Sequence, residues 1–372
     1  MLGKLRVMVI GSLCMLMLAM TACQSGAGKG IATEPPAMER EDGVNALDGS
    51  ESEERQPAPF RAPFTGLEAQ EPLKKRPIAV MVNNFKSARP QSGLSFADML
   101  IEVLAEGGIT RIVAIYHSQY DYDGAIGPVR SIRPYLIELG ESFHAVLVHA
   151  GGSNDAYSIL QKQRKPYLDE ITNAGRAFWR ESFRKAPHNL YTKLSKITEA
   201  AATRFPMEDE ALPAFSFAPL HTEIEASAAM PSTSQPSASS EAASRIEVAF
   251  MNNGDRVQYA YDYNSGNYIR HINGEPHLDM ATDKPLTADN VLVLAAPHRV
   301  LDNVGRLEVQ LDGGGEALLF TGGRTYSGTW QRNGQGAFAF MQSGQALPLK
   351  PGKTHMLIVP HEPPLLQHVD WE

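Results

Sequence analysis

Apolar and polar positions divide the chain into stretches of different character. Residues 7–20 are dominated by Val, Ile, Leu and Met and follow the basic pair Lys4 and Arg6. A spanning helix needs about 20 apolar residues, so this shorter run reads as the core of a secretory signal. From residue 24 to about Lys75 the apolar pattern lapses, as in EREDGVNALDGSESEERQPAP. Such a stretch cannot bury enough apolar surface to offset its ordering entropy and predicts a flexible tether spanning roughly 40 Å.

Dense patterning begins at Pro77-Ile78-Ala79-Val80-Met81-Val82, a continuous apolar run of the kind that forms a strand buried on both faces. A turn at Ser95–Asp98 and a hairpin follow, with strands over 99–106 and 109–118 joined by Gly107-Gly108. Ser131 is placed to start a helix that Gly140 stops. Residues 145–149 form a short strand entering Gly151-Gly152-Ser153, then a helix to about Gln163. A further helix is expected over 192–203. Strands alternating with helices predict an α/β or α+β domain over 76–205.

Beyond it, Phe215–Phe217 is a candidate first strand, and 221–244, which ends in SAAMPSTSQPSASSEAAS, reads as a disordered insert. From Arg245 onward, IEVAF, VQYAY, VLVLAA, RLEVQL, EALLF, AFAFM and HMLIV recur between Gly, Asn and Asp turns. Seven short strands without a helix predict an antiparallel all-β domain, a sandwich or barrel, within 206–372.

Charge sharpens this division. The chain's 372 residues carry a net charge of −8. Residues 76–205 hold 16 Lys and Arg against 12 Asp and Glu, and residues 206–372 hold 10 against 20. The halves therefore present surfaces of opposite sign. No basic stripe interleaved with aromatics occurs, which argues against a nucleic-acid partner.

The two cysteines are Cys14, inside the signal core, and Cys23. Met20-Thr21-Ala22-Cys23 resembles a bacterial lipobox, with Met where Leu is usual. This predicts a signal peptide over 1–22, a lipidated Cys23, and a tether over 23–75. The mature chain would hold no disulfide, thiol nucleophile or thiolate metal site. Buried acyl chains would anchor it at the outer face of the cell membrane.

PIAVMVNNFKSARPQSGLSFADMLIEVLAEGGITR, GPVRSIRPY, HAGGS and PHNLYT resemble the N-terminal domain of the YerB-like bacterial lipoproteins. YNSGNYIRHINGEPHLD, LTADNVLVL, RTYSGTWQRNG and LKPGKTHMLIVP resemble that family's C-terminal domain. The resemblance implies an envelope lipoprotein of a Gram-positive organism, linked to cell-wall synthesis, in a family whose biochemical function is not established.

The residues that could bear chemistry converge on the first domain. Arg130 and Arg133 flank Ser131 in GPVRSIRP, where a helix start and two guanidinium groups would favour an anion. They could equally pair with Glu102, Glu106 or Asp155 and serve only the fold. If the strands run parallel, Asn83-Asn84 and Gly151-Gly152-Ser153 would floor a cleft at their carboxyl ends, with Arg111, His149 and His188 at its rim. The expected occupant is an envelope protein or an anionic cell-wall component. The alternative is a hydrolase or transferase using Ser153 with His149 or His188, although Ser153 also suits a helix N-cap. No histidine spacing matches a metal motif, and no cofactor fingerprint is present.

Overall fold

The computed structural model describes residues 60–209, 211–213, 215–219, 240–332 and 336–372. Cys23, the signal core and most of the expected insert lie outside them.

The first expected strand forms as β1 (Ile78–Asn83) and is buried throughout. Its alternate side chains feed two cores, Ala79 and Met81 on one face and Ile78, Val80 and Val82 on the other. The hairpin also forms, as antiparallel β2 (Met99–Leu104) and β3 (Thr110–Tyr116). Gly107 and Gly108 close it with positive φ, a conformation that glycine adopts without steric penalty.

The helix expected from Ser131 begins later, as α1 (Pro134–Glu141), with Arg133 as its extended N-cap. Ser131 instead donates its hydroxyl to the Ala150 carbonyl at 3.0 Å. Gly140 does not stop the helix but lies within it. A Cβ there would come within 2.1 Å of Leu147 Cδ2, so close packing explains the glycine. β4 (Val146–His149), α2 (Asn154–Lys162) and β5 (Tyr167–Asp169) follow, and α3 (Leu194–Ala202) completes the mixed α/β region. β1, β4 and β5 run parallel.

The second region is all β, as its pattern predicts. β6 (Arg245–Ala249), β7 (Arg256–Asp262) and β8 (Asn267–Ile272) belong to one sheet, edged by the C-terminal β14 (Val369–Trp371). β9 (Asn290–Ala296), β10 (Gly314–Thr321), β11 (Arg324–Arg332), β12 (Phe338–Gln342) and β13 (Thr354–Pro360) belong to another. Ile246, Val248, Val257 and Tyr259 of the first sheet pack on Val291, Val293, Leu318, Phe320 and Leu357 of the second, which makes a sandwich. One pair departs from the antiparallel pattern. β13 lies beside β9 and runs parallel to it, Asn290 opposite Thr354 and Ala296 opposite Pro360.

β13 also pairs in parallel with β2, Thr354 opposite Met99 and Ile358 opposite Val103. One sheet thus runs through both regions, in the order β12-β11-β10-β9-β13-β2-β3-β1-β4-β5.

Two expected boundaries move. The described residues from Phe60 onward already belong to the fold, ahead of the expected limit of the tether at Lys75. Phe60–Arg61 pairs with Glu68–Ala69, and the Phe64 ring packs 5.2 Å from Phe143 and 6.4 Å from Phe215. Ser240–Ala242 pairs with β11, so the fold resumes before the expected limit of the insert at Ser244. Phe215–Phe217 forms no strand; Phe215 is buried and Phe217 makes a single bridge to Leu349.

Candidate anion-binding site

The segment Gly127–Ile132 inserts where β1 and β4 part. Asn83 donates its amide to Pro128 O and Arg130 donates to Met81 O, both at 2.8 Å. On the other side, Ala150 donates to Arg130 O at 3.1 Å and Ile132 to Gly151 O at 2.9 Å. Arg130 is therefore fixed by backbone on both flanks, at the carboxyl ends of the parallel strands. In open α/β sheets this edge is the usual place for a ligand.

Three arginines meet here with one carboxylate. Arg111 lies on β3 opposite Asn83 and is only 3% exposed. Its Nε and Nη1 are buried, and among the described residues its side chain has no hydrogen-bond or ion-pair partner. Burial first, and then the neighbouring charge of Arg130, lower its pKa to about 10. Arg130 Nε is likewise buried without a partner, and burial and Arg133 weaken its hold on its proton. Arg133 is different. It pairs with Glu106 through Nε and donates Nη1 to Ile132 O at 2.8 Å. Burial would raise the Glu106 pKa, but the hydrogen bond and charge of Arg133 bring it below the ordinary carboxylate range.

So the structural reading of the arginines holds for Arg133 alone. Glu102 does not approach Arg130; its carboxylate faces Arg270 of the second region.

The asparagines organise the site rather than line it. Asn83 Oδ1 accepts the Phe85 amide at 3.0 Å, and Asn83 Nδ2 donates to His188 Nδ1 at 2.8 Å. His188 thus stays neutral with its proton on Nε2. Burial, then Arg130 and Arg184, lower its pKa. Asn84 spends its amide on Glu102, Thr110, Gln91 and Arg89.

The glycine loop turns inward. Gly151 donates its amide to Asp169 Oδ1 at 2.8 Å, and Gly152 bridges to Ile132. His149 is not at a rim but fully enclosed, its Nδ1 3.0 Å from Gly151 O, and burial lowers its pKa to about 4. Ser153 Oγ accepts the Ala156 amide at 3.2 Å as the N-cap of α2. Ser153, His149 and His188 therefore have separate partners and do not form a nucleophile–base pair.

Phe85 is a member of this edge that sequence patterning passed over. It is 40% exposed, and its ring stacks on His188 at 5.3 Å and 13°. A bulky aromatic directly after the polar Asn83-Asn84 pair was the available signal.

Taken together, these features define a class of protein in which an α/β region and an all-β region share one sheet, with an arginine cluster at the carboxyl ends of its parallel strands. Residues 64–207 match the N-terminal domain, and residues 246–356 the C-terminal domain, of the protein family of unknown function DUF3048. YerB of Bacillus subtilis (strain 168), named as a candidate lipoprotein, is 36% identical over 303 residues, which are 81% of this chain and 86% of that protein. The crystal structure of Bacillus subtilis YerB matches with a TM-score of 0.72 at 34% identity, over 84% of this chain and 99% of the solved one. The chain belongs to this family of YerB-like proteins, as its motifs led us to expect.

Proposed function

We propose that the chain is an envelope lipoprotein, attached at the outer face of the membrane through Cys23, which binds an anionic group at the Arg111–Arg130–Arg133 cluster. The leader and its Cys23 support the attachment, together with the lipoprotein description of the YerB relative. No helix among the described residues is long and apolar enough to cross a membrane.

The observation behind the binding site is the charge imbalance. Among the described residues, three guanidinium groups share one carboxylate, and the most deeply buried of them, Arg111, makes no hydrogen bond or ion pair. A buried cation without a hydrogen-bonded anion is costly, and an anion bound at Arg111 and Arg130 would relieve that cost. An anionic cell-wall component or an acidic loop of an envelope protein would supply it.

Titration calorimetry of the full chain in detergent micelles with inorganic phosphate tests the reading. Charge-assisted hydrogen bonds contribute about 1.5–3 kcal/mol each, so Arg130→Ala should weaken binding at least tenfold. Absence of phosphate binding by the unaltered chain would sink the reading.

A further inference from the structure

The arginine cluster does not stand alone at its edge. Asn83 holds Phe85 by its backbone amide and His188 by its ring nitrogen. One side chain therefore positions an exposed aromatic ring and an imidazole donor together. His188 is close enough to Arg130 for that charge to affect its titration. The edge accordingly offers three things within one small area: uncompensated guanidinium charge, an N–H at His188 Nε2, and a ring platform made by Phe85 stacked on His188.

From this juxtaposition we infer that the ligand is a phosphorylated sugar, its phosphate on the arginines and its ring against Phe85. The inference rests on the anion reading above and deepens it. The charge count favours phosphate over a single carboxylate. Arg111, Arg130 and Arg133 against Glu106, with Arg184 also beside His188, leave at least two cations to balance, and a phosphomonoester carries up to two negative charges near neutral pH.

Phe85 supplies the second half of the argument. An aromatic face is electron-rich, so the slightly positive C–H groups of a saturated sugar ring pack against it. A nucleobase would need polar groups to read its edge. The nearby side-chain amides are already spent, since Asn84 serves Glu102 and Thr110, and Gln91 serves Asn83 O, Asn84 and His277. A sugar resting one face on the exposed Phe85 ring keeps its hydroxyls in water and needs no such reader.

The test compares three probes by calorimetry on the full chain in micelles: inorganic phosphate, glucose 1-phosphate and glucose. Glucose 1-phosphate should bind at least tenfold more tightly than inorganic phosphate, and glucose alone should not bind at millimolar concentration. Phe85→Ala should erase the tenfold preference, so that glucose 1-phosphate binds no more tightly than inorganic phosphate, and Phe85→Tyr, which keeps the ring, should retain it. Equal affinity for the two phosphates, or a preference that survives Phe85→Ala, would overturn the sugar inference and leave the anion site standing. If neither phosphate binds, both fail.

Discussion

Glu102 on β2 and Arg270 on β8, 168 positions apart, form an ion pair in which both side chains are almost wholly buried. The pair joins the two family domains, and each polar atom of both side chains has a partner. Arg270 donates Nε to His277 Nδ1 at 2.9 Å and Nη1 to the Tyr259 hydroxyl at 2.6 Å. His277 Nε2 in turn meets Gln91 Oε1 at 2.7 Å, back in the first region. Glu102 Oε1 accepts from Asn84 at 2.8 Å and from Thr110 at 2.6 Å.

Removing one partner leaves an uncompensated charge in that network. Arg270→Met should therefore destabilise the chain by about 3–5 kcal/mol. Adding Glu102→Leu to it should give a total loss smaller than the sum of the single losses. Urea unfolding of the four proteins measures this; additive losses would mean that the pair does not couple the regions.

The shared sheet makes a second expectation. A protease cut within residues 221–239 should leave two fragments that migrate together in native size-exclusion chromatography, because β13 is held between β9 and β2. Fragments that separate in native buffer would contradict the continuous sheet.

Acid should unfold the chain earlier than its carboxylates alone would require. Burial lowers the pKa of His117 and of His149 to about 4, and pushes His277 and His355 well below the ordinary value. The unfolded chain then binds more protons than the folded one between pH 6.5 and about 4. Each such histidine removes stability as pH falls through that window, about 1.4 kcal/mol per pH unit. The urea midpoint should drop clearly from pH 7.5 to pH 5.0. A midpoint that stays level would show that these rings are not buried in the neutral form.

Lipid attachment is tested at the leader. With Cys23→Ala, the chain should accumulate as an unprocessed precursor and take up no labelled palmitate. Label on the Cys23→Ala protein would place the acyl chain elsewhere.

Local chemistry explains what could be read from the sequence. The unbroken apolar run of β1, the Gly107-Gly108 hairpin and the Ser153 cap each depend on neighbours a few residues away, and each forms as expected. Strand alternation likewise marked the all-β region. The misreadings concern distant partners. Ser131 has the chemistry of a cap, but its hydroxyl goes to Ala150 across the inserted segment, and Pro134 starts the helix instead. Phe64 sits among short turn-forming residues, Ala62, Pro63, Thr65 and Gly66, and its burial comes from distant rings, His117, Phe143 and Phe215. Around the site, Arg133 and Glu106 were visible as a possible pair. The choice of Arg270 by Glu102, which leaves Arg111 and Arg130 without a hydrogen-bonded carboxylate among the described residues, depends on a strand of the other region that no local pattern could supply.

Thermal unfolding of the full chain and its Arg111→Met variant, with and without inorganic phosphate, tests the central claim most directly. If Arg111 is a buried cation awaiting an anion, replacing it by an apolar side chain should raise the melting temperature in phosphate-free buffer. Phosphate should stabilise the unaltered chain by about 2.7 kcal/mol at a hundred times its dissociation constant, and should stabilise the variant far less. An Arg111→Met chain that melts below the parent without phosphate, and gains as much from phosphate as the parent does, would contradict the account.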